Sequence, residues 1–341
     1  MRHLLTWLCF FFALCSIAPA QTISAPFFND TSQVEVCLRG DLKALFKDDD
    51  DEREYHPMTF VVYPSSGSDS VSVPVRIMTR GNYRRSICKL PPLKFNFKKE
   101  DVAGSYLDGL DKVKLVLPCR ENKDNYNELV QMEYLAYRLY NRLTDSSFRV
   151  RPLHIRFEDT EGKYDPFEQF GFFIEPLDLL AQRLNAWEIE TENIHPNSTQ
   201  TELTTLMSLF QYMVGNTDWS IPGLHNIKLV KTDTFALPLA IPYDFDFCGL
   251  VDAPYAKPNP QLGITDVKDR VFRGFCRPQA EMDRVYARFQ SQRAALYAEV
   301  EGWTMLPENV RKRAQKYLDE FFDTLDSDRR RAFNFEESCR K

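Results

Sequence analysis

The spacing of apolar and polar positions predicts a strand-rich first half and a helix-rich second half. Val34 to Leu38 reads as a strand. Residues 58–64 (MTFVVYP) and 71–78 (VSVPVRIM) flank the polar turn 65–70 (SSGSDS), the pattern of a hairpin. A strand bearing Lys94, with Phe95 and Phe97 on its other face, precedes another from Val113 to Leu117. Residues 149–158 and 169–174 form a further pair of strands, ending at Glu175-Pro176. Between them, Leu129, Met132, Leu135, Ala136 and Leu139 recur at helical spacing within a helix from about Asn125 to Leu143. A shorter helix follows Pro176 and runs to about Trp187.

The stretch from Leu203 to Val251 organises the second half. Leu203, Leu206, Met207, Phe210, Met213 and Val214 make the apolar stripe of a helix that ends at Gly215, with Thr199 and Glu202 as its expected capping box. A polar loop carrying Asn216, Asp218, His225 and Asn226 leads to a strand from Asn226 to Lys231. An apolar strand from Phe235 then closes on Tyr243-Asp244-Phe245-Asp246-Phe247. Alternate residues of a strand face the same way, so Asp244 and Asp246 are expected on one face. A Pro-rich loop spans 252–266, and two amphipathic helices are predicted at 279–300 and 307–325.

The first twenty residues change the picture. Arg2 and His3, an apolar run from Leu4 to Leu14, and Ala18-Pro19-Ala20 before Gln21 are the parts of an export signal. The run is too short to span a bilayer well, and no later segment approaches the required length. The expected address is therefore periplasmic, cell-surface or secreted. About 320 residues then remain, 43% of the whole sequence is hydrophobic, and a formal net charge of −6 argues against nucleic acid as a partner. Six cysteines lie beyond the signal (Cys37, Cys88, Cys119, Cys248, Cys276 and Cys339), enough for up to three disulfides whose pairing the sequence leaves open. The acidic run Asp48 to Glu52 lacks the spaced ligands of a calcium loop and reads as a solvated turn.

The candidate chemistry is that of phosphate and a divalent cation. Arg80-Gly81-Asn82-Tyr83-Arg84-Arg85 is a basic turn leading to the Lys94 strand, and such cations suit phosphate oxygens. Glu128 and Glu133 both lie on the 125–143 helix, and either can pair with Lys94; Glu133 is carried forward here. The junction at Glu175 fits a hinge whose backbone faces a purine. No GxxxxGK[ST], GxSxG or HExxH motif is present.

In order, these parts are an RGN turn, a Lys strand, a Glu helix, a strand ending in Glu, an Asp218…Asn226 loop and a Pro-Tyr-Asp-Phe-Asp strand end. The series resembles the CotH-like (spore coat protein H) family of secretory atypical protein kinases. The likeness is carried by short motifs scattered between Val71 and Gly249. It implies an α+β, two-lobe protein-kinase-like fold, with a signal at 1–20, a mostly β lobe at 21–175 and a mostly helical lobe at 176–341. It implies Asp218 as the catalytic acid, Asn226, Asp244 and Asp246 as ligands of Mg²⁺ or Mn²⁺, and Arg80, Lys94, Glu133 and Glu175 around ATP. The expected reaction is phosphoryl transfer to a protein or glycan acceptor. The alternative is a catalytically inactive kinase-fold envelope or surface binding protein.

Overall fold

The computed structural model describes residues 26–48, 52–64, 69–81, 83–120 and 124–341; the expected export signal and residues 49–51 of the acidic run lie outside them. Strands β1 (Val34–Gly40), β2 (His56–Tyr63) and β3 (Val71–Thr79) are followed by β4 (Leu93–Phe97), β5 (Lys112–Val116), β6 (Val150–Asp159) and β7 (Phe167–Ile174). They close into one barrel in the order β1-β2-β3-β4-β5-β7-β6. Every neighbouring pair is antiparallel except the seam, where β1 runs parallel to β6 with Val34 opposite Leu153 and Leu38 opposite Phe157. Alternation decides what fills it: Leu93, Phe95 and Phe97 of β4 are buried while Lys94 and Asn96 are partly exposed. Phe27, Phe60, Phe95, Phe97 and Phe173 meet in the interior. Gly171 lets β7 approach β5, since a Cβ there would lie 2.9 Å from the Val116 carbonyl oxygen.

This closed barrel corrects the expected fold class. The two-lobe protein-kinase-like fold requires an open first-lobe sheet, whereas here the parallel β1–β6 seam leaves that sheet without an edge. The seam joins residues more than a hundred positions apart, so no local pattern announces it.

Short helices α1 (Leu42–Phe46), α2 (Tyr83–Ile87) and α3 (Lys99–Val102) decorate the barrel, and α4 (Asp124–Leu143) leans on its outer wall. Tyr134 packs on Phe170 and Phe172 of β7, and Tyr137 on Phe172. The second core therefore starts on the barrel wall. It continues through α5 (Leu177–Arg183), β8 (Trp187–Ile189), α6 (Thr201–Met213), β9 (Ile227–Lys231), β10 (Leu239–Pro242), α7 (Gln279–Gly302) and α8 (Glu308–Leu325). The three short strands form a sheet in the order β10-β9-β8. No helix among the described residues is long and apolar enough to cross a membrane.

Two local expectations change, and the open cysteine pairing is resolved. The cap of α6 is Gln200, whose side chain accepts from the Leu203 amide, while the Thr199 hydroxyl donates to the Pro196 carbonyl. The strand expected from Phe235 shrinks to β10, and Phe235 stands almost fully exposed in the preceding turn. Two disulfides form, Cys88–Cys119 and Cys276–Cys339, and Cys37 and Cys248 are buried thiols.

The barrel interior gives a direct stability test. Phe173 is fully buried, its ring 4.9 Å from Phe95 and 5.9 Å from both Phe27 and Phe60. Phe173→Ala is expected to cost about 3–5 kcal/mol in chemical denaturation. Phe235→Ala should shift stability by no more than roughly 0.5 kcal/mol. Equal effects of the two would contradict the closed barrel.

Candidate functional site

The turn after β10 does not continue the strand. Asp244 has φ of 64° and Asn226, opposite Tyr243 across the hairpin, has φ of 52°. Left-handed backbone is costly for residues with a Cβ, though least so for Asn and Asp, and such outliers gather at functional sites. Asp244 and Asp246 thus come together through a tight turn rather than by strand alternation. The turn is pinned from α4: the Asp244 amide donates to the Tyr137 hydroxyl at 2.8 Å, and the Tyr137 ring packs on Phe245. The Asp244 side chain has no hydrogen bond or ion pair among the described residues.

Asp218 sits in the loop after α6. Asn216 Oδ1 accepts from its amide at 2.9 Å. Its own Oδ1 lies 2.8 Å from His225 Nε2. Asn226 Nδ2 donates to both its Oδ2, at 3.0 Å, and its carbonyl, at 2.8 Å. Arg273 steadies the loop from outside by donating to the carbonyls of Thr217 and Trp219. The expected trio of Asp218, Asn226 and the Asp244-Asp246 turn is therefore one neighbourhood, joined by Asn226, whose carbonyl accepts from the Tyr243 amide at 3.0 Å.

Behind the turn lies buried charge that no local pattern announces. Arg84, from α2, places Nη1 3.9 Å from Glu133 Oε2 and 3.9 Å from Asp246 Oδ2. Tyr255 donates to Asp246 at 3.2 Å. Glu133 therefore pairs with Arg84 and not with Lys94. Burial opposes the Arg84 charge, but the fields of Tyr255, Asp246 and Glu133 outweigh it and hold the guanidinium protonated. Burial, then the Asp246 and Asp244 charges, hold Glu133 well above the usual carboxylate range. Burial, then the Asp244 charge, push Asp246 up to about 7. Glu133 Oε1, Arg80 Nε and Arg84 Nε are buried without a hydrogen-bond partner among the described residues, so polar capacity remains here for a ligand or water.

In front of the turn opens a cavity of about 410 Å³ between the barrel wall and the β8–β9 edge. Lys94 and Lys114 face each other across β4 and β5, and Lys228 closes the far side. Like charges directly opposite in a sheet destabilise it. Burial, then the Arg80 charge, bring Lys114 down to about 8, and its ammonium rests 4.8 Å from the centre of the Tyr243 ring. Phe148, Ile174 and Leu177 give the cavity an apolar side. Glu175 borders it but is spent structurally: Arg183 donates to both its oxygens, at 3.1 and 2.8 Å, and the Arg149 amide adds a third bond. Arg80 anchors its own turn by donating its amide to the Pro92 carbonyl at 2.8 Å.

The structure thus brings Asp218, Asn226, Asp244 and Asp246 together, places Lys94 in the adjoining cavity and keeps Glu133 behind. Sequence reasoning missed Arg84, Lys114 and Lys228. The signal for Lys114 was available, as a cation inside an otherwise apolar strand (Val113-Lys114-Leu115); nothing local distinguished Arg84 from Arg85. Among the described residues no three histidine, cysteine, aspartate or glutamate side chains converge as a ready-made metal cage. The side-chain oxygens of Asp244, Asp246 and Asn226 are of the type that hard cations take. Mg²⁺ commonly uses one or two carboxylates and draws its remaining ligands from phosphate and water.

The Asp246 shift predicts a pH dependence. The unfolded carboxyl titrates near 3.8 and the folded one near 7, so between these the folded protein holds the extra proton and stability falls as pH rises. Asp246→Asn should therefore lose less melting temperature than the parent between about pH 4 and about pH 8, and be the more stable of the two at the upper end. Parallel curves would contradict the buried-acid description. Compared with profiles of known protein families and with curated proteins, the chain matches none, so its function rests on the chemistry of this site.

Proposed function

We propose that this cleft carries out metal-assisted phosphoryl transfer from a nucleotide to a hydroxyl of a protein or glycan. The observation that carries the proposal is the juxtaposition of a lysine-lined cavity with the carboxylate of Asp244, which has no ion pair among the described residues and is next in the chain to Tyr243, which lines the same cavity. Lys94, Lys112, Lys114 and Lys228 line one space, with Lys228 Nζ held 2.7 Å from Glu188 Oε1; such cations suit a polyphosphate, and the apolar side formed by Phe148, Ile174 and Leu177 suits a base. The motif likeness to the CotH-like family supports the same chemistry, here on a barrel scaffold. The paired-cysteine bonds and the N-terminal apolar run support an exported protein.

Asp244, Asp246 and Asn226 hold the cation in this proposal. When bound, Mg²⁺ or Mn²⁺ supplies charge neutralisation for the phosphoryl group. Lys94, Lys114 and Lys228 bind and orient the phosphates, work that phosphoryl transfer needs more than covalent help from the protein. Asp218 aligns the acceptor hydroxyl and takes its proton, held in orientation by Asn226 and His225. One feature favours the non-catalytic alternative, a surface protein that binds without transfer: both oxygens of Asp218 already have partners.

A thermal-shift titration of the mature protein with ATP and Mn²⁺ or Mg²⁺ tests the proposal, because a ligand that binds only the folded state raises its melting temperature. The rise is expected to require metal, to vanish in Asp244→Asn, and to need about tenfold or more additional nucleotide in Lys114→Ala, a loss of about 1.4 kcal/mol. No rise with any metal would overturn the proposal. A metal-dependent rise without phosphate transfer to any acceptor would select the binding protein.

A further inference from the structure

Arg84 lies in the basic turn with nothing local to single it out, yet it is the only cation among the described residues within ion-pair distance of Glu133 or Asp246. Its side chain is 11% exposed. It rides on α2, a helix of only five residues, which has no stability of its own. What holds α2 in place is visible on its far side. Cys88, directly after the helix, is bonded to Cys119, just beyond β5. The Cys119 carbonyl accepts from the Lys89 amide at 2.9 Å. Two residues before Cys119, the Leu117 carbonyl accepts from Arg84 Nη2. The exit of β5 is thus both the anchor of the disulfide and a direct partner of the guanidinium, and β5 itself carries Lys114 into the cavity.

Resting on the phosphoryl-transfer reading, we infer that Arg84 is a positioning residue for Asp246, and that Cys88–Cys119 is a redox-sensitive strap without which the site does not assemble. Arg84 touches no substrate in this arrangement. It fixes the Asp246 carboxylate behind the proposed metal-binding turn and lies within ion-pair distance of Glu133. Cys119 is buried while Cys88 is partly exposed, so the bond can be approached from the Cys88 side. A dithiol reductant passes two electrons and two protons to the bond; Cys88 and Cys119 become thiols and the reductant becomes a disulfide. With the strap open, α2 loses its covalent anchor to the exit of β5, and the buried carboxylates lose a fixed counter-charge. Such a protein works in an oxidising compartment and falls silent in a reducing one.

The test uses the full mature protein and two readouts. Hydrogen exchange without ligand compares the parent with Cys88→Ser/Cys119→Ser. Exchange is expected to quicken at residues 84–90 and along α4 around Glu133, while the barrel strands β2 and β3 keep their protection. Calorimetric titration with Mn²⁺ and ATP then compares the parent, the double serine variant, Arg84→Met and Arg84→Lys. Loss of affinity of about tenfold or more is expected in the serine and methionine variants, with the lysine variant recovering part of it because it restores the charge. Should the serine variant not fold, Arg84→Met tests the positioning role with the disulfide intact. Unchanged exchange at residues 84–90, or parental affinity in Arg84→Met, would overturn the inference and leave the phosphoryl-transfer reading standing. No binding by the oxidised parent would overturn both.

Discussion

Two buried carboxylates and one buried guanidinium set the terms for the rest of this molecule. Glu133, Asp246 and Arg84 come from α4, the turn after β10 and α2, and water reaches none of them freely. Removing such charges from solvent costs several kcal/mol apiece, and their mutual attraction offsets this only with good geometry. At 3.9 Å the pairs are loose, and orphaned atoms remain on both sides. A fold optimised for stability alone would fill this space with apolar side chains. Polar groups kept here at such cost are more readily understood as a site than as a support.

The architecture explains how these pieces meet. The closed barrel is a rigid wall packed with phenylalanine, and its outer surface along β7 is the floor on which α4 lies. Helix α4 in turn reaches the Asp244 turn through Tyr137. A single helix thus registers the barrel lysines against the acidic turn, and the left-handed conformations of Asn226 and Asp244 are held by contacts from both sides. Lys94 and Lys114 come from the barrel, while Lys228 and the acidic turn come from the elements of the second core.

How much of this was legible in the sequence follows from the range of the forces involved. Local periodicity located β2, β3, α4, α6 and the two long C-terminal helices, because amphipathic alternation is written in consecutive residues. The grouping of Asp218, Asn226, Asp244 and Asp246 was also readable, since all four lie within one stretch of chain. The barrel seam was not, as Val34 and Leu153 pair across a separation no pattern marks. The expected strand through Asp246 failed because Asp244 adopts a left-handed turn that hydrophobic spacing cannot reveal. Lys94 lies in the cavity, but its expected partner Glu133 pairs with Arg84 of the basic turn, a long-range pairing that no local pattern marks.

Whether the acidic turn and the lysine cavity serve one ligand is decided by a crystal structure of the mature, oxidised protein with Mn²⁺ and a non-hydrolysable nucleotide, collected with anomalous data. An anomalous peak is expected beside Asp244 and Asp246, with the phosphates against Lys94, Lys114 and Lys228. Nucleotide bound elsewhere, or manganese absent from the turn while nucleotide fills the cavity, would contradict it.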